Sequence, residues 1–136
     1  MRRATLAALA VAAAALAACG TSSPDDLVAH RTGSGPGAKL TLRVIDDGTV
    51  SCDGDRPVQI TSKELIDTRA LVDDLEDLAK AGRSLPARPG SVLRYEIETE
   101  DGTVRFADNS ARQPAVFYRA QALIRKLAVG PCRLPR

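Results

Sequence analysis

The chain has 136 residues, of which 19 are basic and 17 are acidic, and its formal net charge is +2. Arg2 and Arg3 belong to an N-terminal segment with the features of a cleavable signal, so the rest of the chain carries 17 basic and 17 acidic residues. A neutral chain with two Phe, two Tyr and no Trp has neither the basic surface nor the stacking aromatic residues that nucleic-acid binding uses. We therefore predict one small domain that binds no nucleic acid.

The first 18 residues have the order of a secretory signal peptide. A cationic start is followed by an apolar, mostly Ala segment over residues 4–15. A transmembrane helix needs about 20 apolar residues, and the apolar segment ends before that length is reached, at Gly20. The pattern predicts a signal peptide over residues 1–18 and an extracytoplasmic location for the remaining chain.

The apolar segment ends in Leu16-Ala17-Ala18-Cys19. This stretch resembles the lipobox of the bacterial lipoproteins, in which the Cys receives a diacylglyceryl thioether and becomes the N-terminus after cleavage. The resemblance implies that Cys19 carries the lipid anchor, palmitate among its acyl chains, and holds the protein at the cell membrane or the outer membrane. The alternative is an ordinary secretory signal cut after Ala18, with Cys19 unmodified.

Two further cysteines remain if Cys19 carries lipid, namely Cys52 and Cys132. Exported proteins seldom keep free thiols, so we predict a disulfide between the two. Its loop-closure entropy, for a loop of about 80 residues, corresponds to about 4.5 kcal/mol of stability. Two separate buried thiols are the alternative, and a metal site at the pair has no support from other ligand residues.

Residues 19–38 are rich in Gly, Ser, Pro and Thr and show no apolar periodicity. We interpret this segment, with the lipidated Cys at its start, as a flexible tether with a root-mean-square reach of roughly 25 Å. His30, the single histidine of the chain, lies within it, and we expect its side chain to be solvated. The folded domain is predicted over residues 39–136.

The predicted domain begins with a hairpin and a helix. Apolar and polar residues alternate over 40–44, and an Asp-Asp-Gly turn at 46–48 leads to a second strand. Thr61 and Glu64 have the spacing of a capping box, which predicts a helix start, and an amphipathic pattern follows up to Gly82.

The second half repeats this order. Residues 93–98 and 104–106 alternate around an Asp-Gly turn, and Pro114 begins a second amphipathic helix that ends at Gly130. Each hairpin needs a helix to cover its apolar face. We therefore predict an α+β fold of order ββαββα, with a four-strand, mainly antiparallel sheet and both helices on one face.

The strand at 40–44, the Leu-Pro pair at 85–86, the run from Tyr95 to Phe106 and Pro114 together resemble emfourin, a small proteinaceous inhibitor of thermolysin-like metallopeptidases. The resemblance spans most of residues 39–129. It implies a protein partner, an extracellular metallopeptidase, and it assigns no inhibitory residue.

No motif of a zinc metalloprotease, a serine hydrolase or a phosphate-binding loop occurs in the chain. Consecutive acidic residues on the first predicted helix point in different directions, so we expect a solvated face there. These residues are Asp73, Asp74, Glu76 and Asp77. We therefore predict that the protein is not an enzyme and has no catalytic, cofactor-binding or metal-ligating residue.

The predicted function is that of an extracytoplasmic, membrane-anchored lipoprotein with a small protein-binding domain. The 83–91 loop, which contains two Pro and one Gly, and the two Asp-Gly turns are the candidate contact surfaces. A structural or assembly lipoprotein of the cell envelope is the alternative, and a hydrolase built on two carboxylates is the least favoured one.

Overall fold

The structure, a computed structural model, describes residues 24–135, and these form six strands and two helices. The predicted signal peptide over residues 1–18 and the lipobox with Cys19 lie outside the described residues. In chain order the elements are β1 (Asp25–Gly33), β2 (Leu40–Ile45), β3 (Thr49–Cys52), β4 (Val58–Gln59), α1 (Ser62–Lys80), β5 (Leu93–Thr99), β6 (Gly102–Ala107) and α2 (Ala115–Val129).

The six strands form one antiparallel sheet in the order β4-β3-β2-β1-β5-β6. One face of the sheet is buried, and both helices cover it: α1 contacts β1, β5 and β6, and α2 contacts β2 and α1. The predicted α+β class is confirmed. The predicted order ββαββα and the four-strand sheet are wrong, because two further strands, β1 and β4, precede the first helix.

Strand β1 is the largest difference from the sequence-based expectation. Residues 19–38 are predicted to be a tether, but Asp25–Gly33 form a central strand that is antiparallel to both β2 and β5. Its inward side chains Leu27 and Ala29 are each 1% exposed. The tether interpretation is wrong for these nine residues, and the folded domain begins before the predicted boundary. The inward positions of the strand are apolar only as far as Ala29, because Arg31 is charged. Hydrogen bonds to both neighbouring strands nevertheless stabilise it.

Strand β4 is an edge strand of two residues, and the sequence pattern did not predict it. Val58 is paired with Val50, and Gln59 is paired with Thr49. The Gln59 side chain also donates a hydrogen bond from Nε2 to the carbonyl oxygen of Gly48, at 2.8 Å. Two residues are too few to show alternation, so this strand depends on its neighbour rather than on its own sequence.

Helix α1 begins where the capping box predicts. Thr61 Oγ1 accepts a hydrogen bond from Glu64 N at 3.2 Å, and Glu64 Oε2 accepts one from Thr61 N at 2.9 Å. The helix ends at Lys80, and Gly82 follows with a φ of 60° while its N–H donates to Ala79 O at 2.9 Å. A left-handed residue after a helix favours glycine. The two predicted ends of α1 are therefore confirmed.

Replacing Thr61 by Ala is expected to lower the free energy of unfolding by about 1 kcal/mol, because the N–H of Glu64 loses its acceptor. Urea unfolding followed by circular dichroism measures the change. Ser62→Ala is the matched control, since Ser62 is exposed and is the first residue of α1. Equal destabilisation by the two substitutions would contradict the capping role of Thr61.

Three aromatic rings join β5, β6 and α2. The ring of Phe106 stacks on Tyr95 with centroids 5.2 Å apart and on Phe117 with centroids 4.2 Å apart. Such ring pairs add about 0.5–1.5 kcal/mol each beyond the burial of their area. The stack fixes the β5–β6 hairpin, which borders the candidate site, against helix α2.

Candidate functional site

The 83–91 loop connects α1 to β5 and runs beside the outer edge of β6. Arg105 N donates a hydrogen bond to Arg83 O at 2.9 Å, and Leu85 N donates to Arg105 O at 2.8 Å. Ser84 forms a short parallel bridge with Arg105. The start of the loop therefore continues the sheet by one bridge, which holds its backbone in place.

The turn after β6 holds the outer part of the loop. Asn109 Oδ1 accepts a hydrogen bond from Arg88 N at 3.0 Å, and its Nδ2 donates to the carbonyl oxygens of Arg88 and Pro89 at 3.0 and 3.1 Å. Ser110 Oγ donates to Pro86 O at 2.9 Å. The two prolines also fix their own φ angles. The loop backbone is thus bound at several points while Pro86, Arg88 and Pro89 stay exposed.

The return of the loop into β5 is fixed by Asp108. Its carboxylate accepts hydrogen bonds from Ser91 Oγ at 2.9 Å and from Val92 N at 3.1 Å. The Val92 side chain is 50% exposed although it is apolar. At the end of the loop, an apolar side chain is therefore exposed on a backbone that the Asp108 carboxylate holds in place.

A groove of about 320 Å³ lies between the loop and the sheet. Half of its lining residues belong to the face of the sheet opposite the helices, which we call the open face. The strand residues of this face are mostly polar and include His30, Thr32, Thr41, Arg43, Arg94, Glu96, Glu98 and Arg105. The groove itself is lined by His30, Thr32, Leu85, Ala87, Arg94, Tyr95, Glu96, Arg105, Phe106 and Ala107.

Ion pairs on the open face are exposed to solvent. Arg105 Nε lies 2.6 Å from Glu96 Oε2, with half of the Arg105 side chain exposed. Such exposed pairs contribute about 0–1 kcal/mol each. Arg94 is exposed and forms no ion pair within the part of the chain that the structure describes. A partner protein can therefore replace the ion pairs of the groove with its own, and the free energy of unfolding of the domain changes little.

His30, expected in a solvated tether, lies instead at the middle of the open face. Its Nδ1 is 3.4 Å from Thr41 Oγ1 and its Nε2 is 3.8 Å from Glu98 Oε2. Nucleophilic catalysis by a hydroxyl uses hydrogen bonds of about 2.6–3.2 Å and free donors for an oxyanion. The backbone N–H groups of the strands around His30 are used in the hydrogen bonds between these strands, so they are not free to bind an oxyanion. This geometry gives no support to a Thr-His-Glu catalytic group.

A hydrolase built on carboxylates needs two acidic side chains that face each other in one cleft. Four clefts formed by residues 24–135 contain one acidic residue each, and these are Asp108, Glu96, Asp67 and Asp55. None of these four clefts therefore holds the two facing carboxylates that such a hydrolase uses. The acidic cluster on α1 is exposed to solvent, as predicted, at all four of its residues, Asp73, Asp74, Glu76 and Asp77.

Cys52, at the end of β3, and Cys132, after α2, are brought together. Their Sγ atoms lie at bonding distance, 1.93 Å apart, and their Cα atoms are 5.8 Å apart, which is within the Cα–Cα range of disulfides. The two residues are separated by 80 positions. A bond here links the sheet to the end of the last helix, and this placement is the one that the predicted disulfide requires.

A second cleft, of about 520 Å³, lies on the helix side of the sheet. Arg31, a buried residue of β1, lines this cleft together with Arg125 of α2 and Tyr95 of β5. We call it the Arg31 cleft. The sequence did not reveal it, because Arg31 lies in the segment interpreted as a tether and the other two residues are more than 60 positions away.

Two features of residues 24–135 bear on the metal and membrane predictions. No group of three or more His, Cys, Asp or Glu side chains in this range could hold a metal ion. Neither helix in the same range combines the length and apolar character of a membrane span. Cys19, the predicted lipid attachment residue, lies outside the described residues.

Comparison of the chain with protein families, with curated proteins and with solved structures finds no match in any of the three. Within residues 24–135, the 83–91 loop and its groove form a surface on which exposed side chains and a fixed backbone occur together.

Proposed function

We propose that the protein is an extracytoplasmic lipoprotein, anchored through lipid on Cys19, whose domain binds a partner protein through the 83–91 loop. One observation carries the proposal. Asn109 and Ser110 fix the loop backbone by hydrogen bonds, while the side chains at its tip point to solvent.

A fixed loop suits protein binding for an energetic reason. Ordering a mobile loop on association opposes binding by about 0.5–1.5 kcal/mol for each immobilised side chain, and backbone ordering adds to this. The hydrogen bonds between Asn109 and the loop residues Arg88 and Pro89 order the loop when the domain folds, before any partner binds. The partner therefore meets a surface that needs little rearrangement.

The side chains around the loop supply contacts of the kind that interfaces use. Arg88 and Arg94 are exposed cations, and Val92 is a half-exposed apolar residue. Interfaces are enriched in Arg, their centre is more apolar than their rim, and the few residues that dominate the affinity lie near that centre. The groove beside the loop can receive a protruding side chain of the partner.

The first partner that we propose is an extracellular thermolysin-like metallopeptidase, which the domain inhibits in the manner of emfourin. The resemblance to emfourin over residues 39–129 supports this choice, and β1 lies outside that range. An inhibitor of this kind needs a rigid scaffold and an exposed loop, and it needs no catalytic group of its own. The 83–91 loop and the groove fit this requirement.

Site-specific photocrosslinking in the membrane-anchored protein tests the binding surface. A photoreactive amino acid at Arg88 is expected to form an adduct with one partner protein. The same amino acid at Asp73 on α1, which is also exposed, is the matched control and should form none. Adducts of equal yield at both positions, or no adduct at Arg88, would contradict binding through the loop and would favour the alternative, a structural lipoprotein of the envelope.

Lipid on Cys19 is tested independently. We expect the mature protein to have the mass of a chain that begins at Cys19 and carries acyl groups, and to partition with membranes. Cys19→Ala should block both the processing and the membrane association, because the thioether has no attachment atom. An unmodified N-terminus at Cys19, or a Cys19→Ala protein that is still cut and membrane-bound, would contradict the anchor.

A further inference from the structure

Arg31 is a buried cation without an acidic partner among residues 24–135. The residue is 7% exposed, and no carboxylate in this range lies within 4.0 Å of its guanidinium. Its Nε donates to Ala38 O at 2.9 Å and its Nη2 donates to Gly37 O at 2.7 Å. A buried Arg is rarely left without a counter-charge.

The Nη1 group of Arg31 is open to the cleft. A guanidinium has five N–H groups, and the two carbonyl oxygens of Gly37 and Ala38 take only two of them. No fully buried side-chain nitrogen in the described residues lacks a partner. Nη1, for which no protein partner exists in this range, is therefore open to the Arg31 cleft, which its side chain lines.

The walls of the Arg31 cleft are largely apolar. They come from the start of β5, the C-terminal half of α2 and the loops on either side, and their apolar members include Pro36, Leu93, Ala122, Ala128 and Val129. The volume of about 520 Å³ lies within the range of about 300–1,000 Å³ of small-molecule sites. A ligand for this cleft needs an apolar body.

The polar groups of the cleft select the charge of the ligand. Arg31 and Arg125 are positive, and Asp108 is negative and already accepts hydrogen bonds from Ser91 and Val92. Burial raises the pKa of the Tyr95 hydroxyl, an effect that the charge of Arg31 opposes, so this hydroxyl stays protonated at neutral pH. Two positive charges and one negative charge favour an anion with a single charge over a phosphate dianion.

We propose that the Arg31 cleft binds a carboxylate that is attached to an apolar group, with the carboxylate on Arg31 and the apolar group along α2 and β5. Arginine matches the two oxygens of a carboxylate, and the pair is strengthened where water is excluded. Two sources offer this chemistry: a free fatty acid and the C-terminal residue of a polypeptide.

Binding is measured by calorimetry on the mature chain, residues 19–136, with Cys19→Ser so that no lipid or detergent competes. The probes are decanoate and its methyl ester, and a tripeptide that ends in Leu and its C-terminal amide. We expect one carboxylate to bind and its neutral counterpart to bind about tenfold or more weakly, because a hydrogen bond to a charged group is stronger than one to a neutral group. The carboxylate that binds identifies the source.

Variants locate the ligand. Ala122→Phe fills the cleft from the exposed side of α2 and should abolish binding, and Arg125→Gln should weaken it about threefold or more by removing a charge. Arg119→Gln is the matched control on the same helix, because Arg119 pairs with Asp74 and does not line the cleft. Arg31→Gln is a weaker test, since Arg31 also holds the loop at Gly37 and Ala38.

Four results would overturn the proposal. The first three are the absence of binding by both carboxylates at millimolar concentration, equal affinity for a carboxylate and its neutral counterpart, and unchanged binding in Ala122→Phe. Inorganic phosphate is included as a probe, and binding of phosphate without binding of either carboxylate would also overturn it. None of these results depends on the 83–91 loop, so the proposed protein partner is tested separately.

Discussion

A chain that begins at Lys39 is expected not to fold, whereas a chain that begins at Gly20 should unfold in one cooperative transition. The shorter chain lacks β1, which pairs with β2 on one side and β5 on the other. Its removal divides the sheet and leaves two unpaired edges in the middle of the core. Loss of Leu27 alone corresponds to about 2–5 kcal/mol, and the total stability of a small domain is about 5–15 kcal/mol.

Circular dichroism and thermal melting of the two chains measure this effect. A third chain that begins at Pro24 is the matched control, because it removes residues before β1 and keeps the strand itself. We expect it to melt within a few degrees of the longer chain. A chain from Lys39 with a native-like melting transition would contradict the central position of β1.

Replacing both Cys52 and Cys132 by Ser is expected to lower the free energy of unfolding by up to about 4.5 kcal/mol. The bond closes a loop of 80 positions, so its loss releases a large entropy in the unfolded chain. Loss of the bond also removes the covalent link between β3 and the segment that follows α2. Urea unfolding of the oxidised protein and of the double variant measures the difference.

The reductant supplies the control for this prediction. Adding a thiol reductant should destabilise the wild-type protein to the level of the double variant and should leave the variant unchanged. Thiol labelling under denaturing conditions should find no free Cys in the oxidised mature protein apart from Cys19, if that residue is unmodified. Two free thiols at Cys52 and Cys132, or an unchanged free energy of unfolding, would contradict the bond.

The elements with strong local signals could be predicted from the sequence. Thr61 and Glu64 specify the start of α1 by a reciprocal hydrogen bond between neighbours in the chain. The turns that end in Gly48 and Gly102 likewise depend on local backbone geometry, and both join consecutive antiparallel strands. Local physics determines these features, so a sequence pattern is enough to find them.

Strand β1 could not be predicted because its stability is not local. Its inward positions are Leu27, Ala29 and Arg31, a large, a small and a charged residue, and Gly33 closes the strand. Such a pattern indicates no strand by itself, and the hydrogen bonds of β2 and β5 supply what the pattern lacks. The position of His30 was missed for the same reason.

The candidate site could be predicted only in part. Two Pro and one Gly marked the 83–91 loop as an exposed connection, but nothing in the loop sequence shows that it is held in place. The groups that hold it, Asn109 and Ser110, lie about 20 positions later in the chain. The Arg31 cleft required the same kind of long-range information, because it combines β1, β5 and α2.

Titration of a thermolysin-like metallopeptidase with the mature chain, residues 19–136 with Cys19→Ser, tests the proposed function most directly. Serine and cysteine peptidases complete the panel. Three variants accompany the wild-type sequence: Arg88→Glu reverses the exposed charge of the loop tip, Asn109→Ala removes the hydrogen bonds that fix the loop, and Arg119→Ala is the control on α2.

We predict inhibition of the metallopeptidase alone at or below micromolar concentration. Arg88→Glu and Asn109→Ala should each weaken it about tenfold or more, the second because the loop must then be ordered during binding, and Arg119→Ala should leave it unchanged. Absence of inhibition across the panel, together with no partner crosslinked at Arg88, would contradict a binding role for the loop.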